Sequence, residues 1–110
     1  MTVFQIKRND TKPSLAVQFL DATGSAIDLT NTTAISFNMA TNDNSYTSVF
    51  SGAAVITGST TGNVEYQWSL SDTNRSGTYL GEFEATFIDS SVLTLPCTHS
   101  LFIKINEDYD

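Results

Sequence analysis

The sequence predicts an all-β protein, a sandwich of roughly seven to nine short strands. Apolar and polar residues alternate along most of the chain, as they do in strands that bury only one face. Turn-forming segments separate these stretches at intervals of about eight to twelve residues, which is typical of sandwiches and small barrels. Serine, threonine and asparagine are abundant, and they favour turns and solvated strand faces over helices.

The clearest alternation lies in residues 77–88. Its apolar or small residues recur at every second position: Tyr79, Gly81, Phe83, Ala85 and Phe87. Glu82 and Glu84 lie between them, and because unpaired carboxylates are costly to bury, their face should look toward water or a partner. A run of turn formers followed by Gly-x-Tyr resembles the tyrosine corner of immunoglobulin-like sandwiches. The predicted fold class is therefore an immunoglobulin-like antiparallel β-sandwich.

The first half of the chain supplies three regular strands and one irregular stretch. Residues 3–7, 14–20 and 33–41 each alternate, with connections at Pro13 and Gly24 and a strong turn at 42–45. Tyr46 to Val55 is the least regular apolar stretch, so we interpret it as a hairpin or an edge strand leading into residues 53–57. In the connection before the third strand, Asp28 or Thr30 is expected to hold its own loop by hydrogen bonds from side chain to backbone.

The second half predicts the centre of the core. Residues 64–70 alternate with Val64, Tyr66, Trp68 and Leu70 inward. Replacing the single Trp68 by Ala should cost about 3–5 kcal/mol if it is buried. Residues 89–91 are predicted to form the tip of a hairpin, and residues 92–95 its second strand. Pro96 ends the strand pairing there. The last inward-facing residues are Leu101, Ile103 and Ile105.

Charge and composition restrict the function. The 110 residues predict one domain, 1–110, with an acidic tail at 107–110. The net charge of -7 is unsuited to nucleic acid or an anionic membrane surface. Met1 is not followed by a signal-peptide pattern, so the product is expected to stay in a cytoplasm or to leave without secretion. The lone Cys97 cannot form an intrachain disulfide.

No set of residues predicts catalysis, a cofactor or a metal site. His99 is the only histidine, and neither a nucleophile motif nor an orienting acid accompanies it. Glu82 and Glu84 are two apart on one strand, which favours a solvated face over a pair of glycosidase carboxylates. The chain is therefore predicted not to be an enzyme. The loop aspartates lack a D-x-D-x-D spacing, and whether one of these loops binds calcium is left open.

Four stretches in order resemble the immunoglobulin-like N-terminal domain of bacteriophage upper baseplate and related tail proteins. They are 6–15, with Asp10-Thr11 and Pro13; 21–30, with Gly24 and Asp28-Leu29-Thr30; 62–68, with Tyr66 and Trp68; and 77–84, followed by Thr94-Leu95-Pro96.

The resemblance implies a non-enzymatic virion structural protein that acts by protein–protein contacts. It would be an adaptor or accessory of the tail, baseplate or collar, or a capsid decoration (cement) protein, assembled in the host cytoplasm and located in the virion. Its partners would be other virion proteins, with a homo-oligomer in a symmetric assembly. Tyr46, Val49 and Phe50 are the candidate contact residues, unless they belong to the core.

The alternative is a ligand- or carbohydrate-binding β-sandwich module of cellular origin. Sugar binding would require a Trp or Tyr on an exposed face. Trp68 belongs to the inward set, which counts against this alternative.

Overall fold

The computed structural model describes residues 2–96 and 100–107, and within them the chain forms two β-sheets packed as a sandwich. The strands are β1 (Thr2–Lys7), β2 (Leu15–Gln18), β3 (Thr32–Thr41), β4 (Ser48–Ala53), β5 (Val55–Gly58), β6 (Asn63–Tyr66), β7 (Gly77–Phe87), β8 (Val92–Leu95) and β9 (Leu101–Asn106). A short 3₁₀ helix spans Leu70–Thr73. The predicted all-β, immunoglobulin-like sandwich is confirmed. No helical segment in these ranges is long and apolar enough to cross a membrane.

The larger sheet has the order β1-β9-β7-β3-β4, and the smaller sheet has the order β2-β6-β5. β7 pairs with β9 over Gly77–Gly81 and with β8 over Phe83–Thr86, while β3 runs along its other edge. β1 and β9 pair in parallel, and the other strand pairs are antiparallel. The two stretches predicted to lie at the centre of the core, 64–70 and 77–88, supply the middle strands of the two sheets.

The core is built from the alternating residues that the sequence identified. The apolar positions of β7 are buried up to Ala85, and Phe37 and Phe83 are fully buried. Aromatic rings join the two sheets: Phe37 of β3 lies 4.9 Å from Tyr66 of β6 and 5.7 Å from Trp68, measured between ring centroids. Such pairs are stabilising beyond the area they bury.

The predicted tyrosine corner is present. The hydroxyl of Tyr79 lies 3.2 Å from the carbonyl oxygens of both Arg75 and Ser76, to which it donates. These carbonyls belong to the turn that precedes β7, so the hydrogen bonds tie the turn to the start of the strand.

The predicted strand 64–70 is shorter than expected, and the inward position of Leu70 is wrong. β6 ends at Tyr66, Trp68 remains 5% exposed, and Leu70 is 69% exposed in the 3₁₀ helix. The carboxylate of Asp72 accepts hydrogen bonds from the Tyr66 hydroxyl (2.6 Å) and from the Ser69 amide (2.9 Å). These local hydrogen bonds favour a turn over continued strand pairing.

The other predicted strands agree with the structure apart from their ends. β2 is shorter than the predicted 14–20. β4 is an edge strand of the larger sheet, as expected for 46–55, and the chain then crosses to the smaller sheet at Val55. Asp28 accepts the Thr30 amide at 2.9 Å, as predicted. The expectations for Cys97, His99 and tail residues 108–110 lie outside the described residues.

We expect Tyr79→Phe to lower the free energy of unfolding by about 1 kcal/mol, because two carbonyls lose a donor. Urea denaturation followed by Trp68 fluorescence would measure the change. Tyr46→Phe is the matched control, since the Tyr46 side chain is 61% exposed and should leave stability unchanged. Equal stabilities for the two variants would contradict a structural role for the corner.

Candidate functional site

The outward face of β3, β4 and β7 carries a continuous strip of polar side chains. Their order follows from strand register: Ser51 of β4 pairs with Asn38 of β3, which pairs with Glu82 of β7. In the next row along the strands, Ser36 of β3 pairs with Glu84 of β7. We call these five residues the polar strip. Since side chains alternate across a strand, the strip lies directly opposite the buried Phe37 and Phe83.

A groove of about 390 Å³ lies at one end of the polar strip, beside the loop that joins β3 to β4. Its lining residues are Asn38, Met39, Ala40, Tyr46, Ser48, Leu80, Gly81 and Glu82. The volume is within the range of small-molecule sites, and the lining combines an aromatic ring, an amide, a hydroxyl and a carboxylate. We call it the Tyr46 groove.

The backbone at Tyr46 is held in place by hydrogen bonds within its own loop. Oδ1 of Asp43 accepts hydrogen bonds from the backbone amides of Ser45 (3.0 Å) and Tyr46 (3.1 Å). The same oxygen accepts from the hydroxyls of Ser45 (2.7 Å) and Thr41 (2.9 Å). Tyr46 has a φ of 47°, which is uncommon for a tyrosine, and the carboxylate stabilises this left-handed conformation. The loop therefore fixes the backbone of Tyr46, whose side chain lines the groove.

These hydrogen bonds also affect the electrostatics of the loop. The hydroxyls of Ser45 and then Thr41 lower the pKa of Asp43 below its ordinary value of 3.8. Hydrogen bonds to the ionised form favour that form, so Asp43 stays charged at neutral pH.

The polar groups of the strip have unused hydrogen-bonding capacity. Oδ1 of Asn38 accepts a hydrogen bond from the Ser51 hydroxyl, which leaves the Asn38 amide nitrogen directed to no described acceptor. Glu82 and Glu84 are exposed and, within residues 2–96 and 100–107, make no hydrogen bond or ion pair. A second groove, of about 410 Å³, continues along the strip past Ser36, Ser51 and Glu84. The strip can thus offer both donors and acceptors to a bound molecule.

The three residues predicted as partner contacts separate in the structure. Tyr46 is 61% exposed and Val49 is 40% exposed, whereas Phe50 is partly buried. The Phe50 ring packs 5.9 Å from Phe37 and 5.8 Å from Tyr66. Two of the three are therefore available at the surface, and Phe50 belongs to the aromatic core.

Sequence reasoning did not single out Asn38, Ser36 or Ser51 as site residues. It placed Glu82 and Glu84 on a face toward water or a partner, which agrees with their exposure. For Asn38 and Ser36 the signal was their polar positions in the alternating pattern of β3, but only the pairing of β3 with β7 shows that these positions share a face with the two glutamates. Ser51 joins them through the pairing of β4 with β3.

The loop aspartates serve their own turns. Asp21 accepts the amides of Thr23 and Ser25, and Asp89 accepts the amide of Ser91. In the part of the chain that the structure describes, no three His, Cys, Asp or Glu residues are grouped as a metal site would require.

Comparison with known proteins yields one likeness in structure and none in sequence. No family model and no curated protein matches the chain. The structure is similar to that of CopC from Methylosinus trichosporium OB3b, with a TM-score of 0.55 and 10% sequence identity. The match covers 100% of this chain and 89% of that one. The likeness shows the fold alone.

These findings correct the predicted role as a phage virion structural protein. The matched fold belongs to a cellular protein, and no match links the chain to baseplate, tail or capsid proteins. The main interpretation is therefore wrong, and the alternative of a cellular binding module stays a proposal. The virion location and virion partners depended on that role and are not carried further. The single-domain assignment and the homo-oligomer stay predictions.

We expect the backbone amide signals of Ser45 and Tyr46 to titrate only below pH 3.8. The ionised Asp43 carboxylate stabilises the folded loop fully when the pH is above the pKa that Asp43 has in the unfolded chain. This stabilisation is lost as the pH falls through the lowered pKa that Asp43 has in the folded protein. An NMR pH titration would measure the midpoint. Asp43→Asn should remove the titration, and a midpoint above 3.8 would contradict the hydrogen-bond network.

Proposed function

We propose that the protein is a non-enzymatic carbohydrate-binding β-sandwich module and that the Tyr46 groove is its binding site. The observation that carries the proposal is the Tyr46 ring, 61% exposed at the rim of a groove that also contains Asn38 and Glu82. The requirement for an exposed Trp or Tyr, which Trp68 does not meet, is met by Tyr46.

The chemistry of the groove suits a polyhydroxylated ring. A sugar has an apolar C–H face, which can pack on the aromatic face of Tyr46, and hydroxyls that both donate and accept hydrogen bonds. The Asn38 amide nitrogen donates, the Glu82 carboxylate accepts, and the Ser48 hydroxyl can do either. One face of the sugar ring would thus pack on the aromatic ring of Tyr46, while the hydroxyls at the edge of the sugar meet the polar groups of the groove.

The groove is organised before any ligand binds. Asn38 and Glu82 are on paired strands of the larger sheet, and Tyr46 is on a loop held by Asp43. A site built on strands and on a hydrogen-bonded loop loses little conformational freedom on binding, so more of the contact energy contributes to affinity.

The arrangement supports binding without turnover. Hydrolysis of a glycosidic bond requires two carboxyl groups on opposite sides of the scissile bond. Glu82 and Glu84 instead project from the same face of one strand. We therefore include the absence of catalysis in the proposal.

The test is glycan-array screening of the isolated protein, followed by calorimetry with the best-binding glycan. We expect Tyr46→Ala to lower the affinity at least about tenfold, which corresponds to about 1.4 kcal/mol. Tyr46→Phe should keep most of the affinity, because the aromatic face is retained.

The matched control is Ile88→Ala, which removes another exposed apolar side chain, just after the C-terminal end of β7 and outside the lining of the Tyr46 groove. It should leave binding unchanged. Failure of every glycan on the array to bind, or full affinity in Tyr46→Ala, would overturn the proposal.

A further inference from the structure

The polar strip places two unpaired carboxylates in a line. Glu82 and Glu84 lie on the same face of β7, and successive side chains on one face of a strand are about 7 Å apart. Both are exposed, and neither is neutralised by a described residue. The strip therefore presents two negative charges that are about 7 Å apart.

Within the described residues, no strand places a basic side chain close to these two charges. β3, β4, β7 and β8 include neither Lys nor Arg. On β9, Lys104 pairs with Thr78, four residues before Glu82 and so about 14 Å away along the strand. With a net charge of -7 on the whole chain, the potential over the strip is negative, and it repels anionic ligands and attracts cationic ones.

The two grooves form one path along the sheet. The Tyr46 groove includes Asn38 and Glu82, and the second groove includes Ser36, Ser51 and Glu84. The hydrogen-bonded pair of Asn38 and Ser51 joins the two grooves. A single sugar stacked on Tyr46 can reach the first carboxylate only, whereas a chain of sugars lying along β3 and β7 can reach both.

We infer that the ligand is a linear oligosaccharide of amino sugars, which lies along the polar strip with one ring on Tyr46 and its ammonium groups facing Glu82 and Glu84. This inference rests on the proposed carbohydrate-binding function and names the class of sugar. An ammonium group forms charge-assisted hydrogen bonds with a carboxylate, which are stronger than those that a neutral hydroxyl forms. Acidic glycans are excluded by the same charges.

Calorimetry at low salt would compare three probes: glucosamine, its linear hexamer, and the N-acetylglucosamine hexamer, which has the same length but no positive charge. We expect the glucosamine hexamer to bind about tenfold tighter than the acetylated hexamer, since two exposed ion pairs are lost on acetylation. It should also bind tighter than the monomer, and its advantage over the acetylated hexamer should decline as salt is added.

Variants assign the effect to the strip. Glu82→Gln and Glu84→Gln should each weaken binding of the glucosamine hexamer about two- to fivefold. Each should weaken binding of the acetylated hexamer less than binding of the glucosamine hexamer, because Gln keeps an oxygen acceptor for hydroxyls but loses the charge that attracts an ammonium group. Asp10→Asn is the matched control, because it removes an exposed carboxylate in the connection between β1 and β2, away from the strip.

The outcomes separate this inference from the proposed function. Equal binding of both hexamers, with loss in Tyr46→Ala, would overturn the amino-sugar inference and leave the carbohydrate-binding function in place. Equal affinity for monomer and hexamer would overturn the extended path. Binding of neither hexamer would overturn the inference, and if the glycan array also showed no binding, the proposed function would be overturned with it.

Discussion

The packing of Phe37 against Phe83 of its own sheet and Tyr66 of the opposite sheet is the interaction on which the rest of the structure depends. Phe37 lies 4.9 Å from both Phe83 and Tyr66, and it is fully buried. Through it the two sheets share one aromatic core. Gly81 lies directly beneath this ring, since a Cβ at Gly81 would approach Phe37 to 3.0 Å. β3 and β7 are consequently fixed in one register.

That register also creates the candidate site. Because the side chains of a strand alternate between its faces, the pairing that buries Phe37 beside Phe83 places Asn38 beside Glu82 and Ser36 beside Glu84 on the other face. A shift of one residue would exchange the buried and exposed sets, so the polar strip is as strongly specified as the core. The loop held by Asp43 then adds the aromatic ring of Tyr46 to this outward face, where the apolar face of a sugar could pack on it.

Several parts of the fold could be predicted because their signals are local. The alternation in residues 77–88 predicted both the strand and its buried face, and Gly77-Thr78-Tyr79 predicted the tyrosine corner. The end of β6 could not be predicted in the same way. The apolar pattern continues through Leu70, but Asp72 binds Tyr66 and Ser69 and turns the chain first. The alternation of apolar and polar residues carries no information about such competition between side-chain hydrogen bonds and strand pairing.

The sequence by itself determined the fold class, the inward residues of most strands, and the exposure of Glu82 and Glu84, since period and charge set which face of a strand can be buried. It also named Tyr46, although as a protein contact. The tertiary structure alone decided which residues meet: Asn38, Ser51 and Glu82 are neighbours across three strands yet distant in sequence. It likewise decided that Phe50 packs inward while Tyr46 remains exposed. The physical reason is that cross-strand register and loop hydrogen bonds depend on long-range pairing, which a one-dimensional pattern does not specify.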